Sequence, residues 1–403
     1  MDENIIFFKK TKLFKNGILI NLETGRLSRA DFLVDNKKIA TIEPWGEIEN
    51  SGRFNKNNCE IIDLEGNFVM KPFVNAFCDS SSAVEKSYGL EIKNMEAVLS
   101  ACAEIGEEKI TEEDLKVFFA SLITTKSTLS GVAFENDMWT LRHGRLKNYV
   151  EEKFNFKYVE KIDELSESEL DEICLRANKN KARLIIKVGQ RLEELGSIDK
   201  TYKKPVSQVL EDFGLLDNKP IIVGGNCLEK DDLELLRNYD CSFVITPYDD
   251  AKNGRRPTNL ITLKSFGFDV GIGSGEAAEI DYFAYMRQML MNMRAMFEDK
   301  EILTEQEVLQ MATNSISALS LGEVGGLQIG DKAAFIVIKN EETLYEDIFK
   351  TLVWEKSKKD VIMTVAGGEI LQKNGEILMK NWLSCDKIKN RIKHITRRKS
   401  DND

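Results

Sequence analysis

Histidine is almost absent from the 403-residue chain: there are two, His143 and His394. Neither stands beside a cluster of candidate ligands, which excludes a histidine-rich metal centre assembled from sequence neighbours. Long apolar runs are missing as well. No stretch approaches 18 uninterrupted apolar residues, and the start, MDENIIFFKKTKLF, has acidic residues and no long apolar core, so neither a membrane span nor a secretory signal is expected. Positive charge is in deficit, 56 Lys and Arg against 67 Asp and Glu, for a net charge of -11. Such a surface repels a phosphate backbone, and nucleic acid is not an expected partner. The dense basic run KIKNRIKHITRRKS near the end reads as a solvated tail. Disulfide spacing is lacking too. The seven cysteines (Cys59, Cys78, Cys102, Cys174, Cys227, Cys241 and Cys385) are odd in number, scattered and without a CxxC pair, which points to reduced thiols in a cytoplasmic setting.

What is present is strongly patterned. Residues 8 to 66 alternate apolar and polar in LFKNGILINLETG, RADFLVDNKKIATI and CEIIDLEG, between Gly, Asn and Asp turn signals, and so predict a small sheet. The same texture returns near the end in AAFIVI, VIMTVAGGEIL and LMKNW. Between them, short continuous apolar runs such as ARLIIKVG, KPIIVGGN, CSFVITP and FDVGIGSG alternate with amphipathic stretches such as DDLELLRNY and DYFAYMRQMLMNMRAMF. Buried strands alternating with helices imply a parallel sheet covered by helices, and a barrel of about 250 residues fits the interval. Each flanking sheet segment is too small for a core of its own, so one β-sandwich built from both ends of the chain is expected. The hydrophilic stretch 132–175 reads as an outer helix or loop. The expected division is 1–67 and 326–384 for the two parts of the sandwich, 68–325 for the barrel and 385–403 for the basic tail.

The string GNFVMKPFVNAFCDS, residues 66–80, resembles the first motif of the amidohydrolase superfamily, in the branch of chlorohydrolases, guanine deaminases and adenosine or S-adenosylhomocysteine deaminases. The likeness runs on to EVGGLQIGDKAAFIVI at 323–338. It implies an α/β fold: a TIM-like (β/α)8 barrel with a small β-sandwich domain. It also implies a homodimer. The resemblance would place metal ligands at Phe77 and Asp79, at Lys187 (with Gln190 where a proton-shuttling glutamate is usual), at Gly224 and at Gly275. Cys227 falls where a substrate-touching histidine is usual, and Pro247-Tyr248-Asp249-Asp250 falls on a Pro-x-Ser-Asn motif. By this correspondence the usual ligands are replaced.

A zinc or iron site needs imidazole and carboxylate donors with an open water position. Lys187 would repel a divalent ion, and a Lys187–Asp79 ion pair at the barrel mouth is the more natural use of the two charges. Asp249, Asp250 and Glu276 are alternative acids that could take a hard cation through oxygen ligands. Cys227 as nucleophile, or Lys187 as Schiff base or general base, would be metal-free routes, although a buried core thiol accounts for Cys227 more simply. Gly224-Gly225 and the glycines at 271, 273 and 275 suggest a mouth emptied of side chains, and Met286, Met289, Met291, Met293 and Met296 suggest core or dimer packing. The expectation is an amidohydrolase-like protein without the usual metal centre or any cofactor. It would serve as a non-hydrolytic small-molecule-binding, regulatory or scaffold protein. The alternative is a hydrolase or deaminase acting on a C–N bond of an amino-purine-like molecule with altered site chemistry.

Overall fold

The computed structural model describes residues 11–50, 59–78, 127–128, 130–131, 156–276, 279–314, 325–341 and 347–378. Asp79, Cys102, His143, Cys385 and His394 lie outside them, as does the basic tail. The chain divides into two compact units. One comprises Met1–Phe73, Ser127–Thr140 and Glu323–Asn381; the other comprises Val74–Lys126, Leu141–Gly322 and Trp382–Asp403.

The first unit is built on one nine-stranded sheet in the order β14-β13-β12-β11-β5-β1-β2-β3, with β4 on β1. The early strands are β1 (Thr11–Ile20), β2 (Leu27–Asp35), β3 (Lys38–Pro44), β4 (Cys59–Asp63) and β5 (Phe68–Met70). The late ones are β11 (Phe335–Ile338), β12 (Val361–Ala366), β13 (Glu369–Lys373) and β14 (Glu376–Ile377). Strands from both ends of the chain therefore share a single sheet, joined where Val69 of β5 pairs with Val337 of β11. Register puts Phe14 opposite Phe32, and the two rings stack at 5.1 Å. Phe335 meets both edge-on, at 5.0 and 5.1 Å. All three are fully buried. Burial contributes about 1.5–3 kcal/mol per ring, and aromatic geometry adds to it. A bulge at Asn16 (φ 57°) bends β1. The buried Asp31 carboxylate secures it, accepting from the backbone amides of Asn16 at 2.8 Å and Gly46 at 2.7 Å.

The second unit carries five parallel strands in the order β10-β9-β8-β7-β6. These are β6 (Phe156–Glu160), β7 (Arg183–Val188), β8 (Ile221–Gly224), β9 (Ser242–Ile245) and β10 (Asp269–Ile272). Parallel neighbours need crossovers, and helices supply them. The helices are α1 (Glu167–Asn180), α2 (Leu192–Tyr202), α3 (Val206–Asp212), α4 (Lys230–Leu236), α5 (Pro247–Lys252) and α6 (Leu260–Ser265). α7 (Tyr282–Phe297) and α8 (Glu305–Asn314) follow β10. The start of α1 is set by a capping box, Ser166 with Glu169, and its end by Lys181 in the left-handed region. β8 and β9 are buried at every residue, which is why they read as unbroken apolar runs. One face of the sheet carries an apolar layer of Ile185, Ile221, Val223 and Val244, against which Phe77 packs.

The stretch 132–175, expected as an outer helix or loop, contains β6 as well as the start of α1. Lys157 and Glu160 break the apolar pattern of FKYVE and hide a strand that pairs with β7. Beyond β10 the segment 75–78 runs alongside 272–275. The Ala76 amide donates to Ile272 O at 3.0 Å and the Gly275 amide to Phe77 O at 3.1 Å. The buried Tyr282 hydroxyl bridges Val74 O and Ile272 O at 2.9 and 3.0 Å. On α7, Met286, Met289 and Met293 are buried, whereas Met291 and Met296 are exposed. None of the helices among the described residues is long and apolar enough to cross a membrane.

Candidate functional site

The period of two along β7 places Lys187 on the same face as Ile185, one step nearer the C-terminal end and opposite Val223 of β8. The apolar layer thus gives way to a charge at the strand ends. The Lys187 ammonium pairs with the carboxylate of Glu276, four residues past the end of β10; their side chains are 19% and 18% exposed. The other Glu276 oxygen lies 3.7 Å from Arg255 Nη2. Arg255 Nη1 reaches Asp249 Oδ2 at 2.9 Å and Asp250 Oδ1 at 3.4 Å. Both aspartates sit in the first turn of α5, just after β9, where Pro247 opens the helix. Asn226, just after β8, donates to Asp250 at 2.9 Å, and Thr246 donates to its other oxygen at 3.2 Å. Asn253 donates to Asp249 at 2.8 Å.

These groups descend from the C-terminal ends of four successive parallel strands, β7 to β10, the end at which open and closed α/β sheets carry their chemistry. Asp249, Asp250 and Arg255 are almost wholly buried, so Lys187 and Glu276 are the more exposed members of the cluster. Burial pushes the Asp250 carboxyl up, the charge of Asp249 adds to this, and hydrogen bonds from Asn226 and Arg255 only partly offset it. Burial opposes the charge on Arg255, but Asp249, Asp250 and Glu276 outweigh it and leave the guanidinium above its ordinary value. Arg255 Nε and Asn226 Oδ1 are buried without a hydrogen-bond partner among the described residues.

The glycines do not empty this region, contrary to the sequence expectation. Gly275 has φ +62°, and a Cβ there would lie 2.8 Å from Asp249 Oδ2. At Gly224 (φ +103°) a Cβ would meet Gln190 Cγ at 2.6 Å and Val188 O at 3.0 Å. The volume released by each missing side chain is taken by a neighbour. The backbone at Gln190 is held as well, its main-chain N–H donating to the Glu194 carboxylate at 2.9 Å. Phe77 is held in the apolar layer. Cys227 is 6% exposed, and burial pushes its thiol up, with Arg256 pulling the other way; thiolate chemistry is disfavoured. The described partner of Lys187 is Glu276, whereas Asp79, the expected one, lies outside the described residues. Arg255 and Asn226 were not singled out from the sequence. The signal was there in principle: two adjacent carboxylates after an apolar strand need a counter-charge, and NGRRPT supplies one within a few residues.

No protein-family model matches the chain. A 5-methylthioadenosine/S-adenosylhomocysteine deaminase of Pyrococcus abyssi is 23% identical over 91% of this chain and 95% of its own length. An enzyme of the same name from Caldicellulosiruptor saccharolyticus is 24% identical over 93% and 98%. Among solved structures, an adenosine deaminase from Xanthomonas campestris with bound zinc superposes with a TM-score of 0.75 at 13% identity, over 96% of this chain and 98% of that one. Together these show the resemblance to the amidohydrolase superfamily, in its deaminase branch. They also overturn the expectation of a non-hydrolytic binding, regulatory or scaffold protein: the relatives that align along nine tenths of the chain are named deaminases, and nothing among the described residues shows that catalysis is lost.

The described donors do not fit a zinc or iron ion. No three His, Cys, Asp or Glu side chains among the described residues form a ligand set. Where Asp249, Asp250 and Glu276 converge, a guanidinium and an ammonium already stand, and both repel a divalent ion.

Proposed function

We propose that the chain is a hydrolase or deaminase acting on a C–N bond of an amino-purine-like small molecule, with site chemistry that departs from that of its zinc-binding neighbour. The supporting observation is the partly buried Lys187–Glu276 pair at the strand ends of a chain that aligns along nine tenths of its length with named deaminases. In such a reaction one water adds to the amino-bearing carbon, the C–N bond breaks and ammonia leaves. In this reading the Glu276 carboxylate accepts the water proton and returns it to the departing amine. The Lys187 ammonium donates toward charge that develops on the ring, and the buried Arg255, Asp249 and Asp250 hold that pair in register. The substrate class is carried over from the relatives' names.

We also infer that the parallel unit closes into a (β/α)8 barrel and that the both-ends unit is a sandwich. The first is supported by the 75–78 segment on the free side of β10, and both by the 0.75 superposition. The 1–67 and 326–384 segments, with β5 at 68–70 pairing between β1 and β11, would form the sandwich, the chain from there to 325 the barrel and 385–403 a tail, in a cytoplasmic homodimer that binds neither nucleic acid nor membrane.

The test is ammonia release by purified protein from 5-methylthioadenosine, S-adenosylhomocysteine, adenosine and guanine. Turnover of at least one is expected, and Glu276→Gln should lower it by about 10²–10⁴-fold while the protein stays folded. A folded wild-type protein that releases ammonia from none of them removes the proposal.

A further inference from the structure

We propose that Arg255 is the chain's own substitute for a bound cation, a positioning residue that neutralises and spaces Asp249, Asp250 and Glu276. The inference turns on what fills the space between the carboxylates. Three acidic side chains from two strand ends converge, and one guanidinium addresses all of them: Nη1 at 2.9 Å from Asp249 and 3.4 Å from Asp250, Nη2 at 3.7 Å from Glu276. Its side chain is 8% exposed, so water screens little of this charge. Lys187 takes the remaining Glu276 oxygen. Among the described residues, two cations thus face three carboxylates.

A planar fork of fixed N–H donors can face carboxylates on two sides at once, as a metal ion faces ligands on several. The packing admits no alternative at this point. The Cβ site of Gly275 is already in contact with Asp249 Oδ2, so an acidic side chain at 275 has no room while Asp249 faces Arg255. Carboxylates gathered this closely cannot all stay ionised unless a cation is among them. In this chain the cation is covalently attached.

Deleting the guanidinium removes the one described group that faces all three carboxylates, and a divalent ion could take its place through the oxygen ligands such ions prefer. The experiment measures Mn²⁺ binding by electron paramagnetic resonance, together with thermal midpoints in chelator and in excess Mn²⁺. It is run on wild type, Arg255→Ala and the double variant Arg255→Ala with Asp249→Asn. Wild type is expected to be indifferent to chelator and to Mn²⁺. Arg255→Ala is expected to melt lower in chelator, to recover with Mn²⁺, and to bind one Mn²⁺ about tenfold or more tighter than wild type. The double variant should lose that site. The proposal is overturned if wild type itself takes up one equivalent of Mn²⁺ that Asp249→Asn abolishes, or if Arg255→Ala binds no better than wild type. Should Arg255→Ala fail to fold, Arg255→Lys and Arg255→Met decide: Lys should restore most of the midpoint that Met loses, and equal loss overturns the proposal. No readout requires turnover, so the outcome is separable from the fate of the deaminase reading.

Discussion

The aromatic core of the both-ends sheet and the strand-end cluster of the parallel sheet are both buried, yet they are held by opposite means. Phe14, Phe32 and Phe335 meet ring to ring around 5 Å with no charge among them. Five charged groups meet at the ends of β7 to β10, and each carboxylate there has a named donor. A core of the first kind depends on volume and is indifferent to pH. A cluster of the second kind depends on charge balance, and its burial is tolerated only while every partner is present. Stability resides in the first arrangement, and the second is the one to which the proposed chemistry is assigned.

The largest effect expected from this contrast is in the aromatic core. Phe335→Ala removes the ring that both other phenylalanines meet edge-on and should cost about 3–5 kcal/mol in urea unfolding, whereas Phe335→Leu should cost clearly less. If a charge-neutralising change such as Asp249→Asn proved more damaging than Phe335→Ala, the ranking of the two regions would be inverted.

Next is a test of how tightly the strand ends are packed. Gly275→Ala places a Cβ against Asp249 in a left-handed backbone and should cost about 1–3 kcal/mol. Gly254 is a matched control: its φ is +63°, but nothing lies within 4 Å of its Cβ position. The difference between Gly275→Ala and Gly254→Ala therefore isolates the contact from the backbone term. Equal losses would mean that Asp249 can move aside, and the cluster would then be looser than its distances imply.

The same contrast separates what was legible in the sequence from what was not. Alternation in LFKNGILINLETG and RADFLVDNKKIATI announces β1 to β3, and the unbroken IIVG and SFVI announce buried parallel strands, because period and burial act locally. β6 was hidden because its lysine and glutamate break the apolar run on which the other parallel strands are recognised. At the site, Lys187, Asp249, Asp250 and Glu276 could be picked out by comparison with a motif. Arg255 could not, since no motif position corresponds to it. Two of its contacts, to Asp249 and Asp250, lie within its own segment, and the third, to Glu276, exists only after β9 and β10 lie side by side. The filling of glycine space at 224 and 275 was equally invisible: sequence records the side chain that is missing, and only packing shows which neighbour moved in.

The smallest effect is one of slope. Asp250 has its folded-state value raised above the ordinary 3.8, chiefly by burial. Below 3.8 the group is protonated in both folded and unfolded chains and contributes nothing. As pH rises past that value the unfolded chain ionises first while the folded chain keeps its proton, so this group's contribution to stability falls until the higher folded value is passed, and is flat thereafter. Asp250→Asn removes the titration. The stability of wild type relative to Asp250→Asn should therefore decline across the mildly acidic range, measured as urea midpoints from about pH 4 to pH 7. The opposite slope is informative as well. If wild type gains on the variant as pH rises, Arg255 and Asn226 stabilise the ionised carboxylate by more than burial penalises it.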